Sequence, residues 1–176
     1  MRNRNSREYI LDAAESIATK HGAAHLTLDS VAAETGLSKG GVLYNFPSKE
    51  ALLQGMYERL ERRFEESTAA LLKSRKAATP LEAHVLAGIE NKSPHKNLAA
   101  AIIAAGANNP QLLQPSKNWN KKVFSELASG ANEDSQLVIL VATYGLWFLE
   151  VLETSPITPA QRKRVVQKLV KLSRGK

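Results

Sequence analysis

The residues whose chemistry stands out lie in one run, Gly36-Leu37-Ser38-Lys39-Gly40-Gly41-Val42-Leu43-Tyr44-Asn45-Phe46-Pro47-Ser48-Lys49. A hydroxyl, a lysine and two glycines fall where a short helix should begin. The unpaired backbone N–H groups and the positive dipole end at such a place favour an anion. Gly40 and Gly41 in that first turn each cost about 1 kcal/mol of helix stability. The cost makes sense if the helix end must approach a phosphate or a base edge closely. Ser38 suits the capping position and can also donate to a phosphate. Further along, Tyr44 and Asn45 offer a phenol and an amide at contact positions, while Val42 and Phe46 read as core. No Gly-Lys-Ser/Thr follows at the spacing of a Walker loop.

Other chemistry is sparse. There is no cysteine, which excludes disulfides, thiolate zinc sites and a cysteine nucleophile. No Ser/His/Asp set, paired carboxylates or metal cluster is readable, so no catalytic residue, metal or cofactor is assigned and the chain is not read as an enzyme. His21 and His25 are four apart, but Gly22 between them should end the helix and no third ligand is in view. They read as surface residues, as do the isolated His84 and His95.

The elements that must position this run are helices, and strand alternation is absent. Asn5 with Glu8 reads as a cap and its partner, ahead of an apolar face of Ile10, Leu11, Ala14, Ile17 and Ala18. Gly22 suits a left-handed stop. A second short helix starts at Thr27, buries Leu28, Val31 and Ala32, and ends at Gly36. A third follows Ser38 and is broken by Pro47. Ser48 caps a fourth, longer helix with a buried stripe of Leu53, Met56, Tyr57, Leu60 and Phe64 and a charged, solvated surface from Glu58 to Glu66. Capping boxes at Thr79-Pro80-Leu81-Glu82 and Thr158-Pro159-Ala160-Gln161, and caps at Ser93-Pro94 and Asn109-Pro110, start later helices. Among them are an alanine-rich helix from Leu98 to Ala107, an amphipathic one around Trp119 to Leu127, an apolar one from about Asp134 to Glu153, and a last helix with Val165, Val166, Leu169, Val170 and Leu172 on its buried side. The sum is about nine helices. The fold class is all-α: an N-terminal three-helix head, residues 1–49, and a C-terminal helical bundle, residues 50–176, with helix four connecting them.

Two short helices with a glycine bend, a leucine plug and a serine cap make a helix-turn-helix, in which one helix braces and the second enters the major groove. The run from Leu28-Asp29-Ser30-Val31-Ala32 through Gly36-Leu37-Ser38-Lys39-Gly40-Gly41-Val42-Leu43-Tyr44-Asn45-Phe46-Pro47-Ser48-Lys49-Glu50-Ala51-Leu52 resembles the DNA-binding signature of the TetR family, and the likeness covers roughly Ser6 to Phe64. Many members carry tyrosine where this chain has Leu43; here it is Tyr44. The resemblance implies a phosphate contact at Lys49 and a reading head made by helices two and three. The candidate DNA-binding set is Thr27, Ser38, Lys39, Gly40, Gly41, Leu43, Tyr44, Asn45 and Lys49.

Charge alone does not point to this end. The formal net charge is +7 with a pI near 9.7, but Arg162, Lys163, Arg164, Lys168, Lys171, Arg174 and Lys176 supply as much as the whole excess. The first 49 residues carry six basic residues against five acidic ones. The longest uncharged apolar stretch, Leu137 to Leu149, is shorter than the ~20 residues of a membrane span, so no membrane association is expected and a cytoplasmic protein is. The partners expected are a double-stranded DNA operator, a second copy of the chain joined through the apolar helix and the last helix, and a small-molecule effector near Trp119, Tyr144, Trp147 and Phe148. The expected function is a dimeric, ligand-responsive repressor acting on a palindromic operator. The alternatives are a ligand-blind adaptor and an unrecognised all-α enzyme.

Overall fold

The computed structural model describes residues 6–22, 25–90 and 94–175. Among these residues there are nine α-helices and no strand: α1 Ser6–His21, α2 Leu28–Thr35, α3 Lys39–Asn45, α4 Lys49–Lys73, α5 Pro80–Glu90, α6 Pro94–Asn108, α7 Gln114–Leu127, α8 Glu133–Val151 and α9 Pro159–Ser173. The expected caps at Asn5 and Ser93 lie outside the described residues. The chain divides into two compact units, Met1–Leu60 with Ser93–Pro115, and Glu61–Lys92 with Ser116–Lys176.

In the first unit the helix ends follow from local chemistry. Gly22 and Gly36 take φ of 83° and 67°, a region that costs glycine nothing and other residues about 1 kcal/mol or more. Thr27 caps α2 through a reciprocal box with Ser30, and Ser38 accepts the Gly41 N–H to cap α3. Ile10, Leu11, Ala14, Ile17 and Ala18 of α1 face inward as expected and meet Leu26, Val31, Val42, Phe46, Leu52 and Met56. Leu98 and Ile102 of the alanine-rich α6 close the same core. That helix therefore walls the first unit and packs against α1. The charged stretch of α4 is not solvated throughout. Arg59 is 2% exposed, and its guanidinium reaches Asp12 at 2.6 Å, Glu15 at 2.8 Å and Glu8 at 3.3 Å on α1.

In the second unit α5 packs against α8 and α9. Thr79 caps α5 by accepting the Glu82 N–H, but Glu82 completes the turn on Ala78 N–H at 2.7 Å rather than on Thr79. Its second oxygen accepts from Arg174 at 2.7 Å. This arrangement lets a fully buried carboxylate stay charged, held below its ordinary range by the Arg174 hydrogen bond. The Thr158–Gln161 box on α9 forms as expected. On α9, Leu169 is buried, but Val165 and Leu172 are each 39% exposed, so the inward face is narrower than expected. The stretch Gly130–Val151 is long and apolar enough, by length and composition, to cross a membrane. It buries Ile139, Leu140, Thr143, Leu146 and Val151 within this unit and leaves Val138, Val141, Phe148 and Leu149 exposed, as is Leu152 just past its end.

Candidate nucleic-acid interface

Helices α2 and α3, joined at Gly36-Leu37-Ser38, form the helix-turn-helix. Thr35 is buried and bonds back to Val31 O at 2.7 Å, Leu37 packs on the core, and Tyr9 of α1 donates to Thr35 O at 3.3 Å. The bend between the two helices is thus fixed from three sides. Val42 and Phe46, at 0% and 1% exposure, anchor α3, and burying the Phe46 ring alone is worth about 1.5–3 kcal/mol.

The outward side of α3 carries most of the candidate residues. Tyr44 is 91% exposed, Leu43 is 37% exposed, and Ser38, Lys39 and Gly40 are exposed beside them. A Cβ at Gly40 or Gly41 would meet little beyond Ser38 Oγ, at 3.9 and 3.4 Å. Internal packing therefore does not require either glycine, and the bare first turn is open to an external group. Ser38 spends an oxygen lone pair on Gly41 N–H at 3.1 Å, which leaves its O–H to donate outward. Lys49 opens α4, half-buried, one residue after Ser48, whose Oγ accepts the Ala51 N–H. Thr27 is exposed at the start of α2.

Two candidates are engaged internally. Lys39 Nζ pairs with Asp29 at 2.9 Å. Asn45 donates from Nδ2 to Gly41 O at 2.9 Å, and its Oδ1 accepts from Ser6 Oγ at 3.1 Å. Sequence spacing gives no hint of the Ser6 bond, because Ser6 is 39 residues away.

The four residues assigned to a ligand separate into two groups within the second unit. Trp119 and Tyr144 belong to an aromatic cluster with Phe64, His84 and Phe124. His84 stacks on Tyr144 at 5.8 Å, Phe64 meets His84 at 4.9 Å and Trp119 at 6.2 Å, and Phe124 meets Tyr144 at 5.5 Å. His84 is 5% exposed, which overturns its reading as a surface residue. Burial disfavours its charged form and pulls its pKa down to about 4, and burial pushes Tyr144 up to about 12. Trp147 and Phe148 pair with each other at 5.0 Å. Phe148 and Tyr144 line an open apolar groove of about 490 Å³, with Asn120, Lys121, Phe124, Val141 and Gly145. His21 and His25 are exposed, and the His25 ring bonds to His21 O at 2.6 Å. Among the described residues no group of three potential ligands converges for a metal.

Residues 10–56 match the family model for bacterial regulatory proteins of the tetR family, and residues 78–174 match the tetracyclin repressor-like C-terminal domain. A comparison with curated proteins finds no match. Solved structures share the fold. A transcriptional regulator from Rhodococcus has a TM-score of 0.75 and 16% identity over 95% of each chain. A TetR-family member from Streptomyces coelicolor has a TM-score of 0.70 and 20% identity, covering 93% of this chain and 96% of that one. The multidrug binding protein EbrR, complexed with malachite green, has a TM-score of 0.69 and 22% identity, covering 95% of this chain and 97% of that one. With both its helix-turn-helix and its C-terminal helices matched, the chain belongs to the TetR family of DNA-binding transcriptional regulators.

Proposed function

We propose that the protein is a cytoplasmic repressor that binds a palindromic operator as a homodimer and releases it on taking up a small, mostly apolar effector. The observation that carries the DNA-reading half is Tyr44, 91% exposed on a helix whose other face is core. An aromatic side chain held out in solvent at that position contributes nothing to packing and is available to base edges in a major groove. Tyr44 and Leu43 face bases, and Asn45 stands behind them, its amide held by Gly41 and Ser6. Ser38 and Lys49 hold phosphates, and Thr27, Lys39, Gly40 and Gly41 complete the contact with the DNA backbone. Family membership supports a non-enzymatic role.

Dimerisation supplies the specificity that one seven-residue helix lacks, since two heads related by a two-fold axis read two half-sites. The exposed apolar residues of α8 and α9 support this pairing. The effector reading is supported by the fold shared with EbrR, whose structures hold malachite green and ethidium. An effector acts only through its differential affinity for the DNA-binding and non-binding states.

A gel-shift experiment with fragments of the source genome tests the reading. Retention of a few fragments sharing an inverted repeat is the expected result. Retention without sequence selectivity would point to an adaptor, and no retention would remove the regulator reading.

A further inference from the structure

We propose that Arg7 and Gly55 are positioning residues that set the sequence preference of the DNA-binding head, by fixing the seat of Phe46 at the end of α3. The Arg7 guanidinium lies 4.4 Å above the Phe46 ring, its Nη1 donates to Asn45 O at 3.5 Å, and its Nη2 pairs with Glu58 at 3.4 Å. Gly55 of α4 also abuts the ring. A Cβ there would sit 2.7 Å from Phe46 Cε1 and 3.1 Å from Arg7 Nη2, so any side chain would displace the ring, the guanidinium or both. Next to this seat, Ser6 bonds the Asn45 amide, which also closes onto Gly41 O. Two elements, α1 and α4, therefore converge on Asn45, the last residue of α3, and Phe46, which follows it.

A helix of seven residues has no orientation of its own, because isolated helices of that length are unstable in water. Its pose is set by what holds its ends, and the C-terminal end is held at Asn45-Phe46. Tyr44 precedes this clamp directly, so a shift or rotation of the Phe46 ring re-aims Tyr44 and Leu43 together. A sub-ångström displacement of this kind changes which base edges are reached while leaving phosphate contacts in place. Arg7 has a competing role to exclude: its guanidinium, with a side chain 43% exposed, is also able to meet a phosphate directly. The pairing with Glu58 and the ring beneath it argue for the clamp.

This inference rests on α3 being the base-reading helix, and the experiment separates the two. The wild-type protein selects duplexes from a random library. The tightest selected duplex is then compared with poly(dI-dC) for the wild type and for Arg7→Gln, Arg7→Lys, Gly55→Ala and Ser6→Ala. For both Arg7 variants and Gly55→Ala the ratio of selected to non-specific affinity should fall about tenfold, the size of one lost base-pair match. The salt slope should be unchanged, and each variant should select an altered sequence. Arg7→Lys keeps the charge but loses the planar face over the ring, so it should not rescue. Ser6→Ala should lose about threefold. It decides the matter if the Arg7 or Gly55 variants fail to fold, since Ser6 is exposed. A salt slope reduced by about one in Arg7→Gln and restored in Arg7→Lys makes Arg7 a phosphate contact and overturns the proposal. Unchanged preference in all folded variants also overturns it. A wild type that selects no sequence would instead remove the base-reading role of α3.

Discussion

Lys49 and Tyr44 differ in what a deletion should cost. On the proposed reading, Lys49, at the start of a helix beside backbone N–H groups, would attract a phosphate whatever the sequence, whereas the phenol of Tyr44, exposed on α3, would meet a base edge. Lys49→Ala should weaken binding to all duplexes and lower the salt slope by about one. Tyr44→Ala should leave that slope unchanged and alter the selected sequence. Titrations at several salt concentrations, on selected and random DNA, separate these outcomes; a changed preference in Lys49→Ala with an unchanged slope would invert the two roles. Residues whose partners are near in sequence were legible in advance. Ser38, Thr27, Gly36 and Ser48 act within four residues, and each does what its type and spacing imply. Asn45 and His84 were not. The second bond of Asn45 comes from Ser6, and His84 is buried by Phe64 and Tyr144, 20 and 60 positions along the chain. Those partners become neighbours only once the helices pack.

Helix α1 presents Glu8, Asp12 and Glu15 at spacings of four and three, so three carboxylates crowd one face. Arg59 of α4 relieves that repulsion. Burial works against the guanidinium's charge, but the bonds and charges of Glu15, Asp12 and Glu8 outweigh it and hold its pKa above the ordinary value. In the sequence this arginine is one of several charges in a run that alternates sign, and a solvated face is the natural reading of such a run. Its burial follows from the angular position of residue 59 on α4. It lies three and seven residues after Met56 and Leu52, both buried, so it points the same way they do. Arg59→Met preserves the apolar stem and removes the cation. It should cost roughly 3 kcal/mol, seen as a lower urea midpoint at constant slope. Adding Glu15→Gln should recover part of the loss, since Glu15 is the best-buried of the three acids. An undiminished midpoint in Arg59→Met would mean that α1 and α4 are held by apolar packing alone.

For the molecule as a whole, acid should be destabilising through His84. Its pKa of about 4 in the folded protein lies below the ordinary 6.5, so the unfolded chain takes up its proton first as pH falls. The stability linked to this group is fully present above about 6.5 and declines between there and 4, by roughly 2 kcal/mol at pH 5. His84→Phe should flatten that part of the pH profile, measured by urea unfolding at pH 7 and pH 5. The proposed assembly would use the opposite kind of surface, one that does not titrate. On α8 the exposed apolar residues Val138, Val141, Phe148 and Leu152, with Gly145 between them, recur at spacings of three and four, the seam pattern of paired helices. Leu146, at 6% exposure, belongs to the protomer's own core, so a charge there tests folding rather than assembly. Val141→Glu, at a position 60% exposed, should leave the helical spectrum intact and give a monomer by sedimentation at micromolar concentration, where the wild type should sediment as a dimer. Gly145→Ala sharpens the test. A Cβ there meets nothing within 4 Å in the protomer, so alanine should strengthen the isolated helix by about 1 kcal/mol. If two copies of α8 cross at this glycine, the same methyl group holds them apart. The variant should then dissociate at higher concentration than the wild type while each protomer gains stability. A Gly145→Ala protein that dimerises more tightly would move the crossing point away from residue 145, and a wild-type monomer would remove the dimer.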